Sequence, residues 1–165
     1  MKMAADFSFI CDSMLGRLGR WLRVLGYDTV FRREISDSDI LLLLKSECQR
    51  ILLTRDKRLH EKTIRIPLKS ILITDDDIVK QLAYVGKALK LNLKVDPDNS
   101  RCSFCNTPLT RIIEPSGFRG LIPPSLRGTR RNFWYCSNCN KIFWKGRMWP
   151  NITRITVAAS KMADS

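Results

Sequence analysis

The 165-residue chain carries 29 Lys and Arg against 16 Asp and Glu, a formal charge of +13, and 44 % of its residues are apolar. A chain of this length holds one core, or one core plus a small satellite module, and this apolar content excludes a disordered polyelectrolyte. No apolar run nears the ~20 residues that cross a bilayer, and residues 1–11 carry Asp6 and lack the apolar stretch of a secretory signal, so a cytoplasmic protein with no membrane partner is expected.

In chain order, the apolar run Phe7 to Cys11 ends abruptly at Asp12. An amphipathic pattern follows, with Leu15, Leu18, Leu22 and Leu25 at helical spacing and Arg17, Arg20 and Arg23 between them. A buried strand thus delivers a carboxylate to its C-terminal end, and a basic helix leaves from the same point. Gly16 and Gly19 each cost that helix about 1 kcal/mol relative to Ala, which implies close approach by another backbone or by a phosphate at the helix N-terminus. Gly26-Tyr27-Asp28 reads as a helix stop and Thr29 to Phe31 as a short strand. Ser36 to Asp39 offers N-caps for a buried helix over about Asp37 to Cys48; the apolar run Ile40 to Leu44 also suits a strand, but the acidic start and the Lys45 to Gln49 end favour helix.

The opening theme then repeats. Arg50 to Thr54 is an apolar strand running through Arg55 into Asp56, followed by a basic helix from Lys57 to Lys62. Ser70 to Thr74 is a further strand. Asp76 or Asp77 caps a long helix to about Leu91, with Ile78, Leu82, Val85 and Leu89 on one face. Strand and helix alternate four times, which predicts an α/β fold with a parallel sheet and right-handed crossovers. Asn92 to Ser100, with Pro97, reads as a linker between a first domain, residues 1–96, and a second, residues 97–165. The first has 18 basic and 13 acidic residues; the second has 11 and 3. Acids nearly vanish from the shorter part, which suits a polyanion partner, although a lysine-solubilised surface has the same composition.

Residues 101–150 hold five of the seven prolines, which exclude long helices there, and three of the four tryptophans. Pro115 to Arg131 reads as a long loop, and the tail from Ile152 as loosely helical or frayed. The same region holds Cys102-x-x-Cys105 and Cys136-x-x-Cys139, thirty residues apart. In a chain without a secretory signal, this spacing argues for metal rather than disulfides. Four thiolates suit a tetrahedral Zn²⁺ with no open position, hence a structural one; an iron–sulfur cluster is the rival. Cys11 and Cys48 read as small buried hydrophobes or free thiols.

The carboxylates form a second signal. In a parallel sheet, Asp12 and Asp56 reach one edge, and the helix carrying Asp37 and Asp39 can start close by. Converging acids repel one another unless a cation sits among them, and Mg²⁺ or Mn²⁺ suits such oxygen-rich sites. Ordinary N-capping accounts for the same residues, and for Asp75 to Asp77 it is the preferred reading. A third signal is aromatic: Phe133-Trp134-Tyr135 and Phe143-Trp144 alternate with Arg130, Arg131, Lys141, Lys145 and Arg147. Such residues either stack on unpaired bases and hold phosphates or fill a small core. Core is the preferred reading for Trp134 and Trp144, and binding for the arginines.

Together, the stretches Asp12 to Leu18, Arg20 to Arg23, Leu25 to Asp28, Ile51 to Asp56, Cys102-x-x-Cys105-Asn106, Phe133-Trp134-x-Cys136-x-x-Cys139 and Trp144-x-Gly146 resemble the Mut-seven C-terminal RNase domain family. The resemblance implies a PIN-like parallel sheet flanked by helices, plus a small C-terminal zinc ribbon. It also implies a divalent-metal-dependent ribonuclease hydrolysing phosphodiester bonds. Carried over by position, the catalytic acids are Asp12, Asp39 and Asp56, with Asp37 as a fourth candidate. Arg17, Arg20 and Arg55, with Arg130, Arg131, Lys145 and Arg147 of the second module, are the expected contacts to single-stranded or structured RNA. One departure is Met148, where the family pattern often has histidine. The alternative is a non-catalytic RNA-binding module associated with a ribosome or a ribonuclease.

Overall fold

A computed structural model describes residues 7–165. Most of the stretch 1–11, read above for a secretory signal, lies outside them. The first half alternates as the apolar pattern predicts: β1 (Ser8–Cys11), α1 (Gly16–Val24), β2 (Asp28–Phe31), α2 (Asp37–Ser46), β3 (Ile51–Thr54), α3 (Lys57–Arg65), β4 (Lys69–Leu72) and α4 (Ile78–Leu89). The four strands make one parallel sheet in the order β2-β1-β3-β4.

Strand alternation sorts the core into two layers. On one face, Phe9, Cys11, Ile51 and Leu53 pack against Leu18 and Leu22 of α1 and Leu82 and Val85 of α4. On the other, Ile10 and Leu52 meet Ile40, Leu41 and Leu44 of α2 and Leu59 of α3. Helices therefore cover both faces, as parallel sheets require. Helix α1 ends in a Schellman motif: Gly26, at φ 95°, donates to the Arg23 carbonyl, and Tyr27 donates to that of Leu22. The expected close approach at Gly16 and Gly19 is real, and among protein groups its agent is a side chain rather than another backbone. A Cβ on Gly16 would lie 2.4 Å from the Phe31 ring, and one on Gly19 3.4 Å from Cys11 Sγ.

The second part forms an antiparallel sheet of β5 (Thr110–Arg111), β6 (Phe133–Cys136) and β7 (Lys141–Trp144). Between β5 and β6, the proline-rich segment makes two 3₁₀ turns, Pro115–Phe118 and Pro124–Leu126, and no α-helix. It folds onto a small core of Ile112, Ile122 and Phe133. Trp134 is buried, its indole Nε1 donating to Asp98 at 2.7 Å, whereas Trp144 is partly exposed. The tail differs from expectation. Residues Trp149–Asp164 form a sixteen-residue helix, α5, which packs against α4 and sends Ile155 and Ala159 into the first core.

Candidate functional site

The chain leaves β1 for β2 on one side and later returns to β3 on the other, so β1 and β3 flank a topological switch point. In open α/β sheets the crevice at the carboxyl ends of such strands is where ligands bind. Asp12 ends β1 there and is buried. Its N–H donates to the Leu53 carbonyl at 3.1 Å. Its Oδ1 accepts from Met14 N at 2.9 Å, and its Oδ2 accepts from Thr54 Oγ1 at 2.5 Å and Arg55 N at 2.7 Å. A carboxylate has about four acceptor directions, so these three bonds fix its orientation and leave one direction open.

Thr54 connects the acids. Its hydroxyl donates to Asp12 and accepts from the Asp56 N–H at 2.9 Å. Asp56 caps α3, with Oδ1 accepting from Arg58 N at 2.7 Å and Leu59 N at 3.1 Å. Ser36 is the N-cap of α2; Asp39 donates its N–H to Ser36 Oγ and accepts at Oδ2 from that hydroxyl at 2.7 Å. Asp37 is the exposed first residue of that helix. Asp77 caps α4 through Val79 and Lys80. Asp75 supports that turn, while Asp76 pairs with Arg55.

The expected cations divide between two poles. Arg17 and Arg20 are exposed on α1, which starts beside Asp12, and Arg55 follows β3. Lys145 lines a cleft of about 1020 Å³ at the opposite pole, beside Ser8, Asp28 and Arg50, which begin or precede the strands. Its ammonium sits 4.7 Å from the Trp149 ring centroid, and its carbonyl accepts from Arg131 at 2.9 Å. Arg130 and Arg147 are exposed in the same second part. The structure therefore does not gather all seven cations around Asp12.

The four paired cysteines do meet. Their sulfurs lie within 4.8 Å of one another, with Cys105 to Cys136 at 3.4 Å and Cys102 to Cys139 at 3.9 Å. A tetrahedron of Zn–S bonds of about 2.3 Å has edges of about 3.8 Å, so the donor set is placed for one metal ion and is compatible with zinc. Each Cys-x-x-Cys is followed by asparagine at positive φ, 73° at Asn106 and 52° at Asn140, a conformation Asn tolerates and β-branched residues do not. The Cys139 N–H turns back onto Cys136 Sγ at 3.4 Å. A hydrogen bond with Cys105 and burial push the Cys139 thiol up to about 12. At Cys105, burial opposes ionisation, but hydrogen bonds with Thr107 prevail and draw the thiol down to about 5. Among the described residues, no three carboxylates gather as the thiols do.

A seam that local sequence does not signal joins the two parts. β2 is an edge strand, and both outward groups of Thr29 are taken: its N–H donates to Asn106 Oδ1 at 3.0 Å, and its carbonyl accepts from Arg23 Nε at 2.8 Å. Arg23 also donates to the Ser103 and Phe104 carbonyls, each at 3.1 Å. Ser100 Oγ and Arg101 N cap the last carbonyls of α1, those of Val24 and Arg23. Asn106 Nδ2 donates to Asp28, which pairs with the buried Arg50. Burial disfavours the charged form of Asp28, but the bonds from Arg50 and Asn106 win and hold its carboxyl below the usual range.

The family model of the Mut7-C RNAse domain matches residues 7–156, nearly the whole described chain. No curated protein and no solved structure matches. The chain belongs to the Mut7-C RNAse domain family.

Proposed function

We propose that this member of the Mut7-C RNAse domain family is a ribonuclease that hydrolyses phosphodiester bonds with Mg²⁺ or Mn²⁺ at the β1–β3 crevice. Family membership supplies the ribonuclease class. The observation that carries the reading is Asp12, a buried carboxylate oriented by three donors at the switch point and linked through one hydroxyl to the Asp56 N–H. Asp12, Asp39 and Asp56, with Asp37 as a fourth, would hold the cation: all are hard oxygen donors, Asp12 keeps one acceptor direction, and Asp56 uses only Oδ1 in its cap. When bound, such a cation lowers the pKa of water and neutralises charge on a phosphoryl group.

The chain's own part is positioning. Thr54 and the Arg55 N–H hold Asp12 rigid, and exposed Arg17 and Arg20 offer charge to the RNA backbone beside it. The second part, residues 97–165, acts in this reading as a module with a structural Zn²⁺, its Arg130, Arg131, Lys145 and Arg147 available to RNA reaching the other pole. Reduced thiols kept ready for a metal fit the cytoplasm. Among the described residues, no helix is long and apolar enough to cross a membrane.

The second reading is an RNA-binding module without cleavage, working beside a ribosome or another nuclease. Its support is that Asp39 and Asp56 each serve as ordinary helix-start residues and that Met148 stands, exposed, where the family pattern often has histidine. Labelled single-stranded RNA incubated with Mn²⁺ or Mg²⁺ separates the two. Cleavage that chelation and both Asp12→Asn and Asp56→Asn abolish supports the enzyme. Salt-sensitive binding without cleavage, equal in wild type and variants, transfers the protein to the second reading.

A further inference from the structure

Phe104 lies at the tip of the first cysteine knuckle, and 62 % of it is exposed. An aromatic ring left in water beside a structural metal site does no work for the core. The small core of this part is made by Ile112, Ile122 and Phe133, without Phe104. The backbone beneath the ring is nonetheless fixed, because its carbonyl and that of Ser103 accept from the buried Arg23 guanidinium. Lys141, from the second knuckle, places its ammonium 3.8 Å from the ring centroid, and the Phe143 ring is centred 6.5 Å away at 41°. An exposed ring on a rigid support, with a cation against it and a second ring beside it, is what sequence-tolerant stacking of unpaired bases requires.

Its place in the fold gives the ring a strand to read. From Asp12, at the crevice, the 3₁₀ turn Ser13–Leu15 and then helix α1 lead to Arg23, under Phe104, and exposed Arg17 and Arg20 lie between. The eleven steps from Asp12 to Arg23, at about 2.0 Å each through the 3₁₀ turn and about 1.5 Å each along α1, cover ~18 Å, which about five nucleotides span at the ~3.4 Å spacing of a stacked strand. We propose that Phe104, flanked by Lys141 and Phe143, is a stacking site for an unpaired base of single-stranded RNA, and that the outer face of α1 carries the connecting phosphates to the crevice. This rests on RNA being the ligand, as in the preceding section, and adds the strand state and the path.

Anisotropy titrations of the zinc-loaded protein test it, using a fluorescein-labelled single-stranded oligoadenylate and a labelled RNA duplex, without Mg²⁺ or Mn²⁺ so that nothing is cut. Phe104→Ala is expected to weaken single-strand binding about 5- to 100-fold, the range for losing one base–aromatic stack, with duplex affinity and salt slope unchanged. Phe104→Trp restores binding. Arg20→Gln, on the outer face of α1, lowers the single-strand salt slope by about 0.7, one phosphate contact; an unchanged slope removes α1 from the path. Zinc content and circular dichroism of Phe104→Ala match wild type, since only the exposed ring is removed. Equal binding by wild type and Phe104→Ala, or equal losses on single strand and duplex, overturns the stacking site while RNA as ligand stands. A wild type that binds neither RNA overturns both.

Discussion

At the cysteine centre, four side chains of one kind come within 4.8 Å, and their neighbours turn backbone toward them. Each candidate acid, by contrast, has structural work of its own: Asp12 caps the 3₁₀ turn Ser13–Leu15 that precedes α1, Asp39 completes a cap on α2, and Asp56 caps α3. The difference explains why one centre announces its chemistry through spacing and the other does not. Four thiols in two tight turns gain little from each other without a cation. Aspartates at helix starts gain about 1 kcal/mol each from the caps alone, so a catalytic role must be established by chemistry.

The sharpest way to break the comparison is to deny the cysteine centre a metal. Chelation, or Cys136→Ser, is expected to unfold residues 101–148, a loss on the order of 10 kcal/mol of metal-coupled folding, and to release amide protection at Thr29. Far-UV circular dichroism and hydrogen exchange measure both; a second part indifferent to chelators would refute a structural metal. At the crevice, Asp12→Asn should cut cleavage roughly a hundredfold, in line with losing an oriented charged group in a catalytic or metal-supporting shell. The amide must also turn its NH₂ toward either Met14 N or the Thr54–Arg55 donors, so denaturant melts should show about 1–3 kcal/mol of destabilisation. Retained cleavage in a folded variant would remove Asp12 from the site.

Smaller effects probe the connections. Thr54→Val keeps the shape of the side chain but removes the hydroxyl between Asp12 and the Asp56 N–H; about 1–2 kcal/mol should be lost, with a cleavage defect exceeding that of a surface control. Asn106→Gly preserves the positive φ while deleting the bonds to Thr29 and Asp28, so about 1–2 kcal/mol should go without loss of zinc. An unchanged melt would mean the seam is not coupled to stability. The least change is in pH dependence. The Asp28 carboxyl is held below its unfolded value of about 4, so its contribution is present above that value and fades as pH falls through the lower folded one. Asp28→Asn should flatten this acid limb of a stability–pH profile.

Much of the fold was readable because apolar periodicity and turn residues agree locally. Strand-then-acid at Asp12 and Asp56, the caps at Ser36 and Asp77, and the Gly26 stop each occupy a few adjacent residues. Helix α5 was not readable. Its buried positions are Ile155, Thr156 and Ala159, β-branched or small, and its start has no side-chain cap. Such a helix has weak intrinsic propensity and is held by packing on α4, a partner sixty residues earlier. Arg23 and Asn106 were invisible for a related reason: their partners lie about eighty residues away, and a basic residue in a basic helix gives no sign of being buried. At the crevice, the acids could be named but Thr54 could not, because its part depends on β1 and β3 being neighbours.

The return of α5 also bears on how the protein comes into being. During synthesis, β1 through α4 emerge first, yet the apolar layer that Ile155 and Ala159 cover stays open until the entire cysteine-bearing segment has followed. Domains tend to fold as the chain appears, but this one cannot close its first core early. Capture of a metal by the knuckles can precede that closure, which makes α5 the latch of the nascent chain.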